Sequence, residues 1–263
     1  MWRPSRPESG DPESLAPGGS VDGSMEKTID GTLFMAIQAS EFAHAYAANK
    51  PFPHVVLKNS WNEAFLLKVS KECDGFTNWD EEKYFSGATG KRSCGTLSKI
   101  PPHTSKLISY CNGPDFLKTL EALTGEKGLI PDPYLLGGGI HSTINRGFLK
   151  MHVDFNWHEE LNLYRRLNLL IYLNKGWKED WGGELLLARK TQDGLSIETS
   201  VKPHFNTTVI FTTTDHSYHG DPYPMLLPVD RARNSIALYY YVAKRPQGTA
   251  EERHTTTKYR INI

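Results

Sequence analysis

The chain reads as a mainly β protein: an antiparallel sandwich or barrel with helices placed before it. Two observations predict this. Seven apolar runs of strand length fall within about 120 residues after Gly125, each bounded by Gly, Pro, Asn or Asp. The helical patterns precede these runs instead of alternating with them, which argues against a doubly wound parallel sheet. The GGG at 137–139 leads into a strand, not a helix, so it is a weak phosphate-binding signal. With 263 residues, the chain suits one domain with a large core.

In chain order, residues 1–25 come first. Pro, Gly and Ser fill 13 of these 25 positions, so the segment buries too little apolar surface to offset its ordering entropy and is expected to be disordered. Met25 is an alternative start. Residues 26–263 then form one domain: helical support over 26–125, a barrel core over 126–246 and a tail over 247–263. The pattern is mixed from Ile29 to Lys71. Within it, the run 60–76 carries Trp61, Phe65, Leu66 and Val69 at helical spacing and stops at Gly75. A second helix over 113–125 places Phe116, Leu117, Leu120 and Leu123 on one face and ends at Gly125. Residues 74–103 are rich in Gly, Ser, Lys and aromatics and read as a long surface loop, a candidate lid. The strand runs are 140–144, 147–155, 166–174, 183–189, 195–201, 207–214 and 235–244.

Thirty Lys and Arg balance thirty Asp and Glu. Zero net charge removes the electrostatic argument for nucleic acid or an anionic membrane as partner. No run approaches the roughly 18 apolar residues of a membrane helix, and no secretory signal is visible. The three cysteines, Cys73, Cys94 and Cys111, form no CxxC pair. Reduced thiols and a cytoplasmic location are expected.

The segment GFLKMHVDFNWH carries the chemistry. His152 and Asp154 lie two apart on a strand and so project from one face. TTDHSYHGDP offers a second imidazole from another strand, His219, with His216 as its rival. Two imidazoles and one carboxylate on one face suit iron(II), with three positions open. Arg233 follows His219 by 14 residues at the start of a strand, where a guanidinium can hold a carboxylate bidentately. Arg231 competes for that role.

HVD, then HG 65 residues after the Asp, then an Arg-x-Ser strand, with RRLNLLIYLNKGW and WGGEL between, resembles the 2-oxoglutarate/iron(II)-dependent oxygenases, prolyl-4-hydroxylase-like branch. The resemblance covers about residues 134–246. It implies a double-stranded β-helix, a jelly-roll barrel, with Fe(2+) on His152, Asp154 and His219. It places the distal carboxylate of 2-oxoglutarate on Arg233 and Tyr172, with Ser235 helping through its hydroxyl. Asn168 stands where relatives carry a threonine lining the cosubstrate pocket. Ser142 stands where relatives often carry a tyrosine, which leaves Asn145 and His141 as candidates for the C1 end. Related halogenases lack a carboxylate at the position of Asp154, so its presence implies hydroxylation.

The implied reaction hydroxylates a C–H bond of a small molecule, amino acid or prolyl-containing peptide. It consumes O2 and 2-oxoglutarate and releases succinate and CO2, with ascorbate as a reductant. Two rivals are a non-catalytic jelly-roll binding module and a zinc-dependent cupin-type enzyme. Phe155, Trp157 and His158 are candidates for the substrate mouth. Arg166 reads as a surface ion pair, Trp177 and Trp181 as structural, and the tyrosines at 239–241 as a strand with alternating burial. His254 carries no assignment.

Overall fold

The computed structural model describes residues 39–246 and 252–260. The expected disorder of residues 1–25, with Met25, lies outside these, as does part of the tail. The helical region holds α1 (Ala39–Ala48), β1 (His54–Lys58), α2 (Glu63–Asp74), β2 (Glu81–Phe85), β3 (Ala88–Cys94), α3 (Pro102–Cys111), α4 (Pro114–Thr124) and β4 (Ile130–Pro131). The barrel region holds β5 (Gly139–Val153), β6 (Trp157–His158), β7 (Leu163–Tyr172), β8 (Leu185–Lys190), β9 (Leu195–Val201), β10 (Thr207–Thr212), β11 (Tyr218–Asp221) and β12 (Arg233–Val242). A short β13 (Lys258–Tyr259) follows. Among the described residues no helix is long and apolar enough to cross a membrane.

Both predicted helices form for local reasons. Asn62 caps α2 by accepting from the Phe65 N–H at 2.9 Å, and Leu66, Val69, Ser70 and Cys73 fall on its buried face. Pro114 opens α4, where its missing N–H costs nothing. Gly125 closes it in the left-handed region, φ 77°, donating to the Glu121 carbonyl. α3 carries no capping side chain of its own. Glu72 of α2 supplies one, accepting from the backbone N–H of His103 at 3.0 Å and of Thr104 at 2.8 Å.

The strands follow jelly-roll nesting, and every pairing between named strands is antiparallel. β1, β10, β7, β12 and the first half of β5 lie side by side, and the second half of β5 continues through β11 and β8 to β9. Two predicted runs, 140–144 and 147–155, are therefore one bent strand. Its residues 139–143 pair with β12, while Leu149 and His152 pair with β11. The bend falls at Arg146, whose φ is 64°.

Alternation along β7 and β12 divides their residues between two environments. Leu167, Leu169 and Ile171 of β7, with Ile236, Leu238 and Tyr240 of β12, join a core with Leu66, Val69, Leu107 and Leu120 of the helices. The alternate residues, Asn168, Leu170 and Tyr172 with Arg233, Ser235 and Tyr239, line an interior cavity. Cys73, Cys94 and Cys111 are all free and buried.

Several expectations need correction. Residues 74–103 are not a long loop: β2 and β3 form a hairpin, and β3 pairs with β5 as an added strand of the sheet. Trp157 and His158 are not at a rim. Trp157 packs edge-on against Tyr164 beneath the Arg253 guanidinium, and His158 is buried beside Asp132. The three tyrosines do not alternate with solvent: Tyr240 and Tyr241 are buried, and Tyr239 lines the cavity. Trp177 and Trp181 pack edge-on at 5.2 Å with Met225 and Leu227, a structural cluster. Arg166 pairs with Glu126 at 2.7 Å.

Candidate active site

His152 of β5 and His219 of β11 sit directly opposite each other in the antiparallel register. Directly opposed residues share a face, so both imidazoles enter the barrel, their rings 4.3 Å apart. Asp154 follows just beyond the end of β5. One ligand atom from each of the three residues lies within 4.8 Å of the others. Among the described residues this is the cluster that could hold a metal ion.

The tautomers suit that role. Nδ1 of His152 lies 2.8 Å from the Lys150 carbonyl, and Nδ1 of His219 lies 2.9 Å from the Ser217 carbonyl. A carbonyl only accepts, so each Nδ1 carries the hydrogen and each Nε2 keeps its lone pair. The Nε2 atoms lie 3.5 Å and 3.3 Å from the Asp154 carboxylate. Burial, reinforced by the neighbouring His219, pushes His152 down to about 4, so it is neutral at ordinary pH. The donor set therefore fits a borderline divalent ion, with no proton to displace from His152.

Asp154 has its own anchor. Burial alone would raise its pKa, but the Arg165 guanidinium, with His219, holds it well below the usual carboxylate range. Its Oδ2 accepts from Arg165 Nη2 at 2.9 Å and from Asn168 Nδ2 at 2.8 Å. Arg165 also donates to Asn168 Oδ1, and its guanidinium lies over the rings of Tyr239 and Phe155. Asn168 lines the cavity and ties the carboxylate to the arginine.

On the other side of the cavity, Arg233 Nη2 donates to the Tyr172 hydroxyl at 3.1 Å, while Arg233 Nε has no partner. Burial raises Tyr172, so the phenol keeps its hydrogen and can donate onward. Ser235 pairs with both His141 and Tyr172 in the sheet register, which brings its hydroxyl to the same wall. A guanidinium with a free Nε and a phenol beside it suit a carboxylate.

Other expected residues fall elsewhere. Asn145 does not line the cavity: its Oδ1 accepts from the Leu227 N–H at 3.0 Å. His141 does line the cavity, but Nε2 donates to the Gly137 carbonyl at 2.9 Å. Burial and Lys91 hold His141 well below its ordinary pKa, so its remaining nitrogen accepts and does not donate. His216 is exposed and outside the cluster, and Arg231 reaches the Lys175 carbonyl. Phe155 lines the cavity. His254 binds Asp215 at 2.8 Å. The cavity residues that escaped the sequence reading include Arg165, Lys83, Lys91, Thr143, Asp221 and Tyr259, whose ring lies 5.5 Å from that of His152.

Residues 139–241 match the model of the 2OG-Fe(II) oxygenase superfamily. The matched segment carries His152, Asp154, His219 and Arg233 and is similar to the domain of the 2OG-Fe(II) oxygenases. Its double-stranded β-helix is the fold shared with solved prolyl hydroxylases and other 2OG-Fe(II) oxygenases. A prolyl hydroxylase from Trichoplax adhaerens, solved with a hypoxia inducible factor oxygen degradation domain peptide fragment, aligns with a TM-score of 0.55 at 16% identity, covering 78% of this chain and 89% of that one. A Pseudomonas putida prolyl-4-hydroxylase aligns with a TM-score of 0.50 at 16% identity, covering 78% and 99%. HygX from Streptomyces hygroscopicus, solved with nickel, 2-oxoglutarate and hygromycin B, aligns with a TM-score of 0.50 at 11% identity, covering 76% and 86%. At these identities the likeness is one of fold. No curated protein matches the chain significantly.

Proposed function

We propose that this protein hydroxylates a C–H bond of a small molecule, amino acid or prolyl-containing peptide, with His152, Asp154 and His219 holding Fe(II). One observation carries the reading: two Nε2 lone pairs and a carboxylate converge, with each Nδ1 tied to a backbone carbonyl. The bound iron and 2-oxoglutarate supply the oxidising chemistry, with release of succinate and CO2.

The chain's residues position and exclude. Arg233, the Tyr172 hydroxyl and Ser235 hold the distal carboxylate of 2-oxoglutarate. Arg165 and Asn168 fix the plane of the Asp154 carboxylate. Phe211 packs edge-on to the His219 ring at 4.8 Å and shields it. Asp154 fills the position that halogenases leave to chloride, which favours hydroxylation. O2 would be the co-reactant and ascorbate the reductant for iron held by His152, Asp154 and His219. The buried thiols fit a cytoplasmic location, and the neutral net charge fits a partner other than nucleic acid or membrane.

The test is succinate release from 2-oxoglutarate with iron(II) and ascorbate, run beside an anaerobic titration. Succinate, together with a weak visible charge-transfer band on adding 2-oxoglutarate to the iron-loaded protein, is the expected result. Metal binding without the band would point to a zinc-dependent cupin-type enzyme. A band without turnover on any compound would point to a binding module. Chlorinated product in chloride buffer would overturn the hydroxylase assignment.

A further inference from the structure

Three cations stand in one row across the sheet. Lys83 of β2 is directly opposite Lys91 of β3, Lys91 is opposite Thr143 of β5, and Thr143 is opposite Arg233 of β12. All four residues line the cavity. Like charges placed directly across strands are destabilising, so such a row needs anions.

Two of the three have one. Lys83 lies 3.2 Å from Glu81, and Arg233 lies 3.4 Å from Asp221. Lys91 has no hydrogen bond or ion pair among the described residues. The charged groups facing it are Asp221, Lys83, Arg233 and Asp154. Asp154 is held by Arg165, while Asp221 lies 3.4 Å from Arg233, its Oδ2 buried without a hydrogen bond, and faces both that guanidinium and the Lys91 ammonium, so one acid stands against two cations. Burial pushes Lys91 down to about 8, so it still carries its charge at neutral pH.

Loading the site does not remove the surplus. A ferrous ion and the dianion of 2-oxoglutarate cancel. The cosubstrate's distal carboxylate already has Arg233 and Tyr172, and Lys91 is two strands from Arg233, roughly 10 Å of sheet. An unpaired ammonium in a cavity is costly unless an anion completes it.

We infer that the substrate is a free carboxylic acid, its carboxylate seated on the Lys91 ammonium beside the 2-oxoglutarate site. This deepens, and rests on, the oxygenase reading above. It favours a free amino acid or other small acid over a residue inside a peptide, which has no carboxylate of its own to offer there.

The test offers the iron-loaded enzyme and 2-oxoglutarate a panel of matched pairs: amino acids and their amides, and short aliphatic acids and their amides. Prolyl peptides blocked at both ends are included. Succinate release above the no-substrate background is read for the wild type, Lys91→Met and Lys91→Arg. In parallel, acetic anhydride labelling of Lys91 is followed by mass spectrometry in anaerobic wild-type protein, with and without each compound.

The expected stimulators are acids, with kcat/KM for the matching amide lower by about tenfold or more. Lys91→Met loses that preference and Lys91→Arg retains it. The acid slows labelling of Lys91, whereas 2-oxoglutarate alone does not. The inference is overturned if 2-oxoglutarate alone protects Lys91, or if amides or blocked peptides stimulate as well as acids. It is equally overturned if no acid in the panel protects Lys91, or if Lys91→Met keeps the acid preference. Absence of both succinate and the charge-transfer band would instead fell the oxygenase reading, and this inference with it.

Discussion

β7 and β12 each present two faces, and the two are built to opposite rules. Toward the helices they carry Leu167, Leu169, Ile171, Ile236, Leu238 and Tyr240, packed as core. The one hydroxyl among these, on Tyr240, donates to the Cys111 carbonyl at 3.1 Å. Toward the cavity the same strands carry Asn168, Tyr172, Arg233, Ser235 and Tyr239, and there polar atoms are left over, Arg233 Nε among them. The outer face is satisfied by the protein alone, and the inner face is completed by a ligand. A substitution should therefore cost stability on one face and ligand binding on the other, although the positions are neighbours in sequence.

The largest expected effect is on the inner face. His219→Ala should abolish the iron-dependent charge-transfer band and turnover, with the thermal midpoint moved by only a few degrees. Loss of stability in step with loss of iron would break the comparison. Leu238→Ala is its counterpart. It should cost about 2–5 kcal/mol in urea unfolding, while the protein that remains folded still gives the band.

Arg165→Met sharpens the boundary. Arg165 is fully buried and touches the carboxylate, not the iron site directly, so it is a positioning residue. Iron affinity should fall by about 10–100-fold. Without the guanidinium, burial raises Asp154, so iron binding should fail at a higher pH than in the wild type. An unshifted pH edge would show that Arg165 only packs.

The smallest effect lies far from the cavity. Glu72→Gln weakens the cap on α3 and should cost about 1 kcal/mol. Burial would raise Glu72, but its hydrogen bonds to His103 and Thr104 lower it overall. A carboxylate lowered in the folded state stabilises above its unfolded pKa, and this is lost as pH falls through the folded value. The gap between wild type and variant should therefore be full at neutral pH and close in acid.

What the sequence made legible follows from locality. The barrel strands were readable because one face of each is apolar, and the metal candidates because two of them lie two apart on one strand. α3 was hidden because its capping carboxylate comes from another helix. β3 was hidden because its inward residues, Lys91 among them, face a polar cavity and show no apolar alternation. Arg165 sits in an Arg-Arg pair that reads as surface, yet its side chain is buried between two rings. Asn145 was a candidate for the C1 end through the family resemblance alone, and its side chain instead accepts from the Leu227 N–H, a partner 82 residues away. Local signals predict strands well, and they fail where a partner distant in the chain decides a residue's environment.

The three thiols have a practical consequence. The whole sequence contains only Cys73, Cys94 and Cys111, all buried. Burial raises each of them, Cys73 to about 12. Toward maleimide the native chain should behave as if it had no cysteine, so a single one introduced at the cavity rim would accept a fluorophore or spin label cleanly, and the arrival of each ligand could be watched from that position.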